Sequence, residues 1–150
     1  TFWFTLPLDT KRTDIELSPD IPVQSEETPR SDRHHSILIA EDVYENYFLL
    51  ETLFGKQYQL YHALNGQEAI DMFETYHPDL ILMDIKMPVM DGFEATRRIR
   101  TLSKTIPIIA LTAFAFEREK EIAKQCEFTD YVVKPIDIKE LKKLIVKVLA

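Results

Sequence analysis

The sequence holds one cysteine, Cys126, in 150 residues. A single thiol excludes an internal disulfide and any cysteine-built zinc site. It fits a reducing compartment. Positive charge is also short: 18 Lys and Arg stand against 25 Asp and Glu, for a net charge of −7. So acidic a chain lacks the basic footprint that DNA or RNA requires, and no nucleic-acid partner is expected. No apolar run reaches the ~18 residues of a membrane-spanning helix, so no membrane contact by this chain is expected. The start, Thr1-Phe2-Trp3-Phe4-Thr5-Leu6, is apolar but too short for a signal peptide and has no basic region before it. The first residue is Thr1 rather than Met, and the expectation is a piece of a longer protein.

What is present is ordinary for a globular chain, with 45% apolar and 29% charged residues. The length suits one domain with a tail. Four of the eight prolines, Pro7, Pro19, Pro22 and Pro29, fall in the first 29 residues. Residues 9–35 are rich in Asp, Glu, Ser, Thr, Pro and Arg and carry no apolar period, which reads as an acidic flexible linker. Residues 1–8 alternate large and small side chains and read as the closing strand of something else. The domain proper is expected over 36–150.

From Ile37 the pattern changes. Ile37-Leu38-Ile39-Ala40, Leu80-Ile81-Leu82-Met83, Ile106-Pro107-Ile108-Ile109-Ala110-Leu111 and Tyr131-Val132-Val133 are short apolar runs. A weaker one spans Tyr58 to Ala63. Continuous aliphatic runs of this length suit strands covered on both faces, as in parallel sheets. Helical spacing fills the gaps. Phe48, Leu49, Leu50, Leu53 and Phe54 crowd a segment that Gly55 ends, and His77-Pro78 closes the next. Residues 115–126 form a mixed, charged segment. Ile138, Leu141, Leu144, Ile145, Val148 and Leu149 make the clearest amphipathic stripe. Five alternations of strand and helix predict an α/β fold with a parallel sheet.

Polar residues collect where the runs end: Glu41-Asp42, Asp84, Thr112 and Lys134. In doubly wound sheets the carboxyl ends of the strands share one edge, which is where ligands bind. Three carboxylates gathered there would repel one another, and a hard cation such as Mg²⁺ relieves that repulsion. With a hydroxyl at Thr112 and an ammonium at Lys134, the set suits phosphoryl transfer with Asp84 as acceptor. Each residue also has a plainer use. Asp42 and Asp84 could cap helices, Lys134 could be a solvated loop lysine, and Thr112 an ordinary strand end. Helix capping does not account for both aspartates and Glu41 together.

These motifs, in order, resemble the receiver domain of two-component signalling. They are Ile37-Leu38-Ile39-Ala40-Glu41-Asp42, then Leu82-Met83-Asp84-Ile85-Lys86-Met87-Pro88-Val89-Met90-Asp91-Gly92, then Ala110-Leu111-Thr112-Ala113, then Asp130-Tyr131-Val132-Val133-Lys134-Pro135. The resemblance implies a flavodoxin-like, doubly wound five-stranded parallel sheet in the order 2-1-3-4-5, flanked by five helices. It implies Asp84 as the phosphoacceptor. Mg²⁺ would be held by Asp42, Asp84 and the backbone carbonyl of Lys86, and by Glu41 through water. Thr112 and Lys134 would hold the phosphoryl oxygens, with Tyr131 as the switch aromatic. Pro135 matches the family's cis-proline, and Pro88 and Gly92 would shape the loop after Asp84.

The implied partner is a histidine-kinase phosphohistidine domain, with a histidine phosphotransfer protein as an onward recipient. A homodimer is compatible with the family. Residues 1–8 resemble the end of a histidine-kinase ATP-binding domain, so the expected parent is a hybrid sensor kinase with a C-terminal receiver. The expected location is cytoplasmic, where ATP-dependent kinases act, even if the parent is membrane-anchored. Within this resemblance the domain catalyses its own aspartyl phosphorylation and dephosphorylation.

A receiver used only for binding, without phosphorylation, is the competing reading; it predicts losses at Asp84, Asp42 or Lys134, and none is lost. An aspartyl-phosphate phosphatase needs a second Asp two residues after the nucleophile, where Lys86 stands. One departure concerns the turn before Asp130. Glu127 occupies the position where the family usually has glycine, and a left-handed backbone there would cost about 1–2 kcal/mol. Phe114, two residues after Thr112, is bulky and lies where family members control access of water to the phosphate. His34-His35 read as solvated surface residues, His62 and His77 have no partner pattern, and Cys126 reads as a small buried apolar residue. The run Glu117-Arg118-Glu119-Lys120-Glu121 reads as a solvated helix face.

Overall fold

The computed structural model describes residues 34–113 and 117–150. Residues 1–33, which hold the expected kinase remnant and nearly all of the expected linker, lie outside the described residues, as does Phe114. The described part belongs to one unit, His34–Ala150.

Strands and helices alternate strictly. In chain order they are β1 (Ser36–Ala40), α1 (Tyr44–Phe54), β2 (Gln59–Ala63), α2 (Gly66–Tyr76) and β3 (Leu80–Asp84). There follow α3 (Gly92–Leu102), β4 (Ile108–Thr112), α4 (Glu117–Gln125), β5 (Asp130–Val133) and α5 (Ile138–Leu149). All five strands are parallel, in the order β2-β1-β3-β4-β5, as expected. β3 and β4 are buried at every residue, which is why they read as unbroken apolar runs. β2 lies at the edge with only Ala63 fully buried, which is why its run is weak.

The sheet separates two apolar layers. One joins Ile37, Ile39, Leu82, Ile109 and Leu111 to Leu50 and Phe54 of α1 and to Leu141 and Ile145 of α5. The other joins Leu38, Ile81, Met83 and Ile108 to Ala69, Ile70 and Phe73 of α2 and to Ala95 and Ile99 of α3. Residues i and i+1 of each inner strand thus serve opposite layers, the period-2 rule of a strand buried on both sides.

Local chemistry sets the helix ends. Asn65, Asp91 and Asp137 cap α2, α3 and α5, each side chain accepting from backbone N–H groups of the first turn. His77 ends α2 in the left-handed conformation. In α1 the crowded apolar residues split between faces: Tyr47, Leu50 and Phe54 are buried, whereas Phe48 and Leu49 are exposed.

The turn at Glu127 takes the left-handed form expected where the family has glycine, with φ 60°. The buried Arg100 of α3 answers that strain: its Nε donates to the Glu127 carbonyl at 2.9 Å, and its guanidinium also donates to the Ile106 carbonyl at 2.6 Å. A charged residue in the helical stripe of α3 therefore works as a backbone clamp. Burial holds its pKa below the usual arginine value, while Glu127 opposes that shift. Cys126, beside the turn, is buried as expected, and burial pushes its thiol pKa up.

Candidate functional site

The carboxyl ends of β1, β3, β4 and β5 deliver Glu41-Asp42, Asp84, Thr112 and Lys134 to one edge of the sheet. Glu41 is 0% exposed and Asp84 5% exposed. Lys134 Nζ bridges them, 2.9 Å from Glu41 Oε2 and 3.0 Å from Asp84 Oδ2. Glu41 Oε1 accepts from the Val43 N–H at 3.0 Å. Asp84 Oδ1 accepts from the Lys86 N–H at 3.4 Å, so the chain after β3 folds back over its own carboxylate. One oxygen each of Glu41, Asp42 and Asp84 lies within 4.8 Å of the others. That is the only such group of metal-ligating side chains among the described residues.

The electrostatics are unequal. For Asp84, burial and then the Glu41 charge outweigh Lys134, and its pKa is raised to about 6. Glu41 suffers burial too, but the bonds from Lys134 and from the Val43 N–H win, and its pKa is lowered. Burial disfavours the Lys134 ammonium, yet the two carboxylates prevail and raise its pKa. One ammonium faces two buried carboxylates, with Asp42 close by. Among the described residues three carboxylates bring their oxygens together here, and such an all-oxygen donor set fits a hard divalent cation such as Mg²⁺.

The backbone around the site is tight. A side chain at Gly92 would collide with the Asp84 carbonyl oxygen, and the Gly92 N–H donates to the Ile85 carbonyl at 2.9 Å. Gly92 has no positive φ; close approach requires it there. Within the same loop Val89 has φ 69° and is 85% exposed. Lys134–Pro135 is a cis peptide bond, as the motif implied. Thr112 is buried at the end of β4. Tyr131 is 37% exposed, with a small pocket between it and Thr112 that Ile85, Phe93 and Ala110 also line. The charge run on α4 is solvated at Glu117, Arg118 and Glu121, and Lys120 pairs with Glu117 at 3.4 Å. His34 and His35 are exposed. His62 does have a partner: its Nε2 is 2.8 Å from the Glu41 carbonyl. That contact joins residues far apart in sequence and leaves no spacing signal.

Comparison with known proteins agrees with this geometry. The model of the response regulator receiver domain family matches residues 37–146. The chain belongs to that family. It is 34% identical over 117 residues to sporulation initiation phosphotransferase F of Bacillus subtilis, covering 77% of this chain and 94% of the relative. It is 38% identical over 114 residues to regulatory protein AtoC of Escherichia coli, covering 75% of this chain and 25% of that protein. It is 33% identical over 147 residues to sensor protein EvgS of Escherichia coli, covering 95% of this chain but 12% of EvgS. The chain therefore spans a quarter or less of two of these three relatives.

Among solved structures, the receiver domain of sensor histidine kinase PA1611 of Pseudomonas aeruginosa has a magnesium ion in its active-site cleft. It is 34% identical with a TM-score of 0.72, over 77% of this chain and 98% of that one. The receiver domain of Ssk1, bound to the histidine phosphotransfer protein Ypd1 of Saccharomyces cerevisiae, is represented by a match that is 31% identical with a TM-score of 0.72, over 76% of this chain and 88% of that one. The chain is thus a receiver domain of two-component signalling, a phosphoacceptor module. Receiver domains bind Mg²⁺ at an acidic site, and they meet histidine-kinase or phosphotransfer domains as phosphodonors.

Proposed function

We propose that Asp84 is the phosphoacceptor. The observation that carries this is the bridge of Lys134 to both Asp84 and Glu41 in one buried corner. An Asp84 carboxylate oxygen attacks the phosphorus of a phosphohistidine. The P–N bond breaks, its electron pair stays on the histidine nitrogen, and an aspartyl phosphate forms. Lys134 is already bonded to Asp84 and can follow the charge onto a phosphoryl oxygen. Thr112, at the neighbouring strand end, offers a hydroxyl to a second oxygen. Mg²⁺ held by Asp42, Asp84 and the Lys86 carbonyl, with Glu41 through water, would neutralise charge on the remaining oxygens. Tyr131 is the switch: it stands half out of the fold beside the pocket that leads to Thr112, and it would turn inward as Thr112 moves toward the phosphate.

The similarity to EvgS spans 95% of this chain, well beyond the receiver domain, which supports a hybrid sensor kinase as parent. In that reading residues 1–8 close the kinase's catalytic domain and residues 9–35 are the linker. The donor is a kinase phosphohistidine, and a phosphotransfer protein is the onward recipient. The site of action is the cytoplasm, where ATP-dependent kinases work. No described helix is long and apolar enough to cross a membrane.

The test is intact mass after incubation with Mg²⁺ and a small phosphodonor, beside Asp84→Asn. One added phosphoryl group that requires Mg²⁺ and disappears in the variant is the expected result. An adduct that persists in Asp84→Asn would move the acceptor elsewhere.

A further inference from the structure

The residue Glu41 is bound on every polar side. Its carboxylate accepts from Lys134 Nζ and from the Val43 N–H. Its own N–H donates to the Ala63 carbonyl at 3.0 Å, one step past the last paired residues of β1 and β2, Ala40 and Ala63. Its carbonyl has run out of strand partners, because β2 ends at Ala63. The side chain of His62 takes that place, with Nε2 at 2.8 Å. A carbonyl only accepts, so Nε2 carries the proton and donates.

The imidazole is itself held flat. It stacks on Tyr47 of α1 with ring centroids 3.7 Å apart and planes 2° from parallel. Tyr47 is buried, and its hydroxyl donates to Glu51 Oε1 at 3.3 Å. The ring therefore cannot swing away from the Glu41 carbonyl without breaking a packed contact in the α1 layer. The carbonyl it holds belongs to the peptide that begins Asp42. Fixing that peptide plane sets where the Asp42 carboxylate starts. Asp42 is exposed and has no side-chain hydrogen bond among the described residues, so its backbone is what places it.

We infer that His62 is a positioning residue for the acidic pair: by clamping the Glu41 carbonyl it pre-orients Glu41 and Asp42 for the divalent cation. The inference rests on the phosphoacceptor site proposed above. A histidine at a helix–strand interface is commonly no more than packing. Here the distinguishing feature is its bond to the backbone of the acidic pair itself. Outer partners of ligating residues typically govern metal affinity ten- to a hundred-fold, and a partner acting through one peptide bond belongs at about ten-fold.

The experiment compares the whole chain with His62→Phe and His62→Gln. Phe keeps a ring against Tyr47 but cannot donate; Gln loses the ring but keeps an N–H donor. Mg²⁺ is titrated against each protein and followed by amide chemical shifts, and the Mg²⁺ dependence of phosphorylation is measured in parallel. The expected result is Mg²⁺ binding about ten-fold weaker in His62→Phe, with His62→Gln closer to the parent chain. The phosphorylation rate at saturating Mg²⁺ should be nearly unchanged, because the clamp acts on cation binding rather than on Asp84. Equal Mg²⁺ affinity in all three proteins would overturn the inference. So would equal weakening in both variants, because the N–H donor kept by Gln would then make no difference. If the unsubstituted chain fails to bind Mg²⁺, it is the underlying site reading that falls. Should His62→Phe not fold, His62→Gln against the parent chain decides, since loss of affinity with the donor retained contradicts the clamp.

Discussion

Replacing Asp84 by Asn should stabilise the metal-free protein, although it removes the proposed reactive group. The raised carboxyl pKa carries the argument. Burial and the Glu41 charge lift the Asp84 pKa from 3.8 to about 6. Between those values the native state binds a proton that the unfolded state has released. Stability therefore falls as pH rises through the window, and the full penalty is present above it. At about 1.4 kcal/mol per pKa unit the penalty approaches 3 kcal/mol at pH 8 and about half that at pH 5. The amide removes the charge and keeps the shape. The loss of the Lys134 attraction is already contained in the net pKa shift, so the gain at pH 8 should be about 2–3 kcal/mol.

Urea unfolding in EDTA at pH 8 and pH 5 reads this directly. Asp84→Asn should unfold at higher urea at pH 8, and its advantage should roughly halve at pH 5. Mg²⁺ should narrow the difference, because it stabilises only a native state that binds it; at ten times its dissociation constant that contribution is about 1.4 kcal/mol. A variant less stable than the parent chain at pH 8 in EDTA would refute the reasoning. So would a gain independent of pH, since no titrating charge would then underlie it.

Lys134→Met should act in the opposite direction. It strands two buried carboxylates, and a loss of about 3–5 kcal/mol in EDTA is expected by chemical denaturation, partly restored by Mg²⁺. Gly92→Ala should cost more than the ~1 kcal/mol typical of a point substitution, because its Cβ meets the Asp84 carbonyl; impaired phosphorylation should accompany the lowered melting temperature. Thr96→Val should gain about 1 kcal/mol in the same assay, since the Thr96 hydroxyl is buried without a partner among the described residues. Glu127→Gly should gain about 1 kcal/mol by relieving the left-handed backbone at φ 60°, and Arg100→Leu should lose more than that, because the carbonyls of Glu127 and Ile106 would both be orphaned.

How much of this was legible in the sequence depended on the reach of each interaction. β3 and β4 could be read because burial on both faces leaves no polar residue to interrupt them. The polar set could be read because a parallel sheet must bring every strand's carboxyl end to one edge, so Asp84, Thr112 and Lys134 converge on topology alone. Glu127 stood out because a backbone needing glycine advertises itself by the wrong residue. Arg100 and His62 were not legible. Each spends its donors on backbone carbonyls, and a carbonyl has no letter in the sequence. The faces of α1 were hidden for a different reason: Phe48, Leu49, Leu50, Leu53 and Phe54 are apolar on several sides, so no polar face marks which side meets the sheet.

The same distinction explains the division of labour at the site. The residues proposed to meet the ligand are polar and sit at strand ends, where one chain can be read alone. Residues that hold those groups in place are tertiary. Lys134 shows the consequence. It satisfies Glu41 so well that the Glu41 pKa falls, and it satisfies Asp84 so incompletely that the Asp84 pKa rises. A single ammonium cannot serve both carboxylates equally when one also accepts from Val43 and the other has the weaker 3.4 Å bond from Lys86. Of the two buried carboxylates, the imbalance leaves Asp84 the one with unmet electrostatic demand. In the proposed mechanism that is the buried carboxylate more responsive to an incoming cation, and to the phosphorus of a donor beside it.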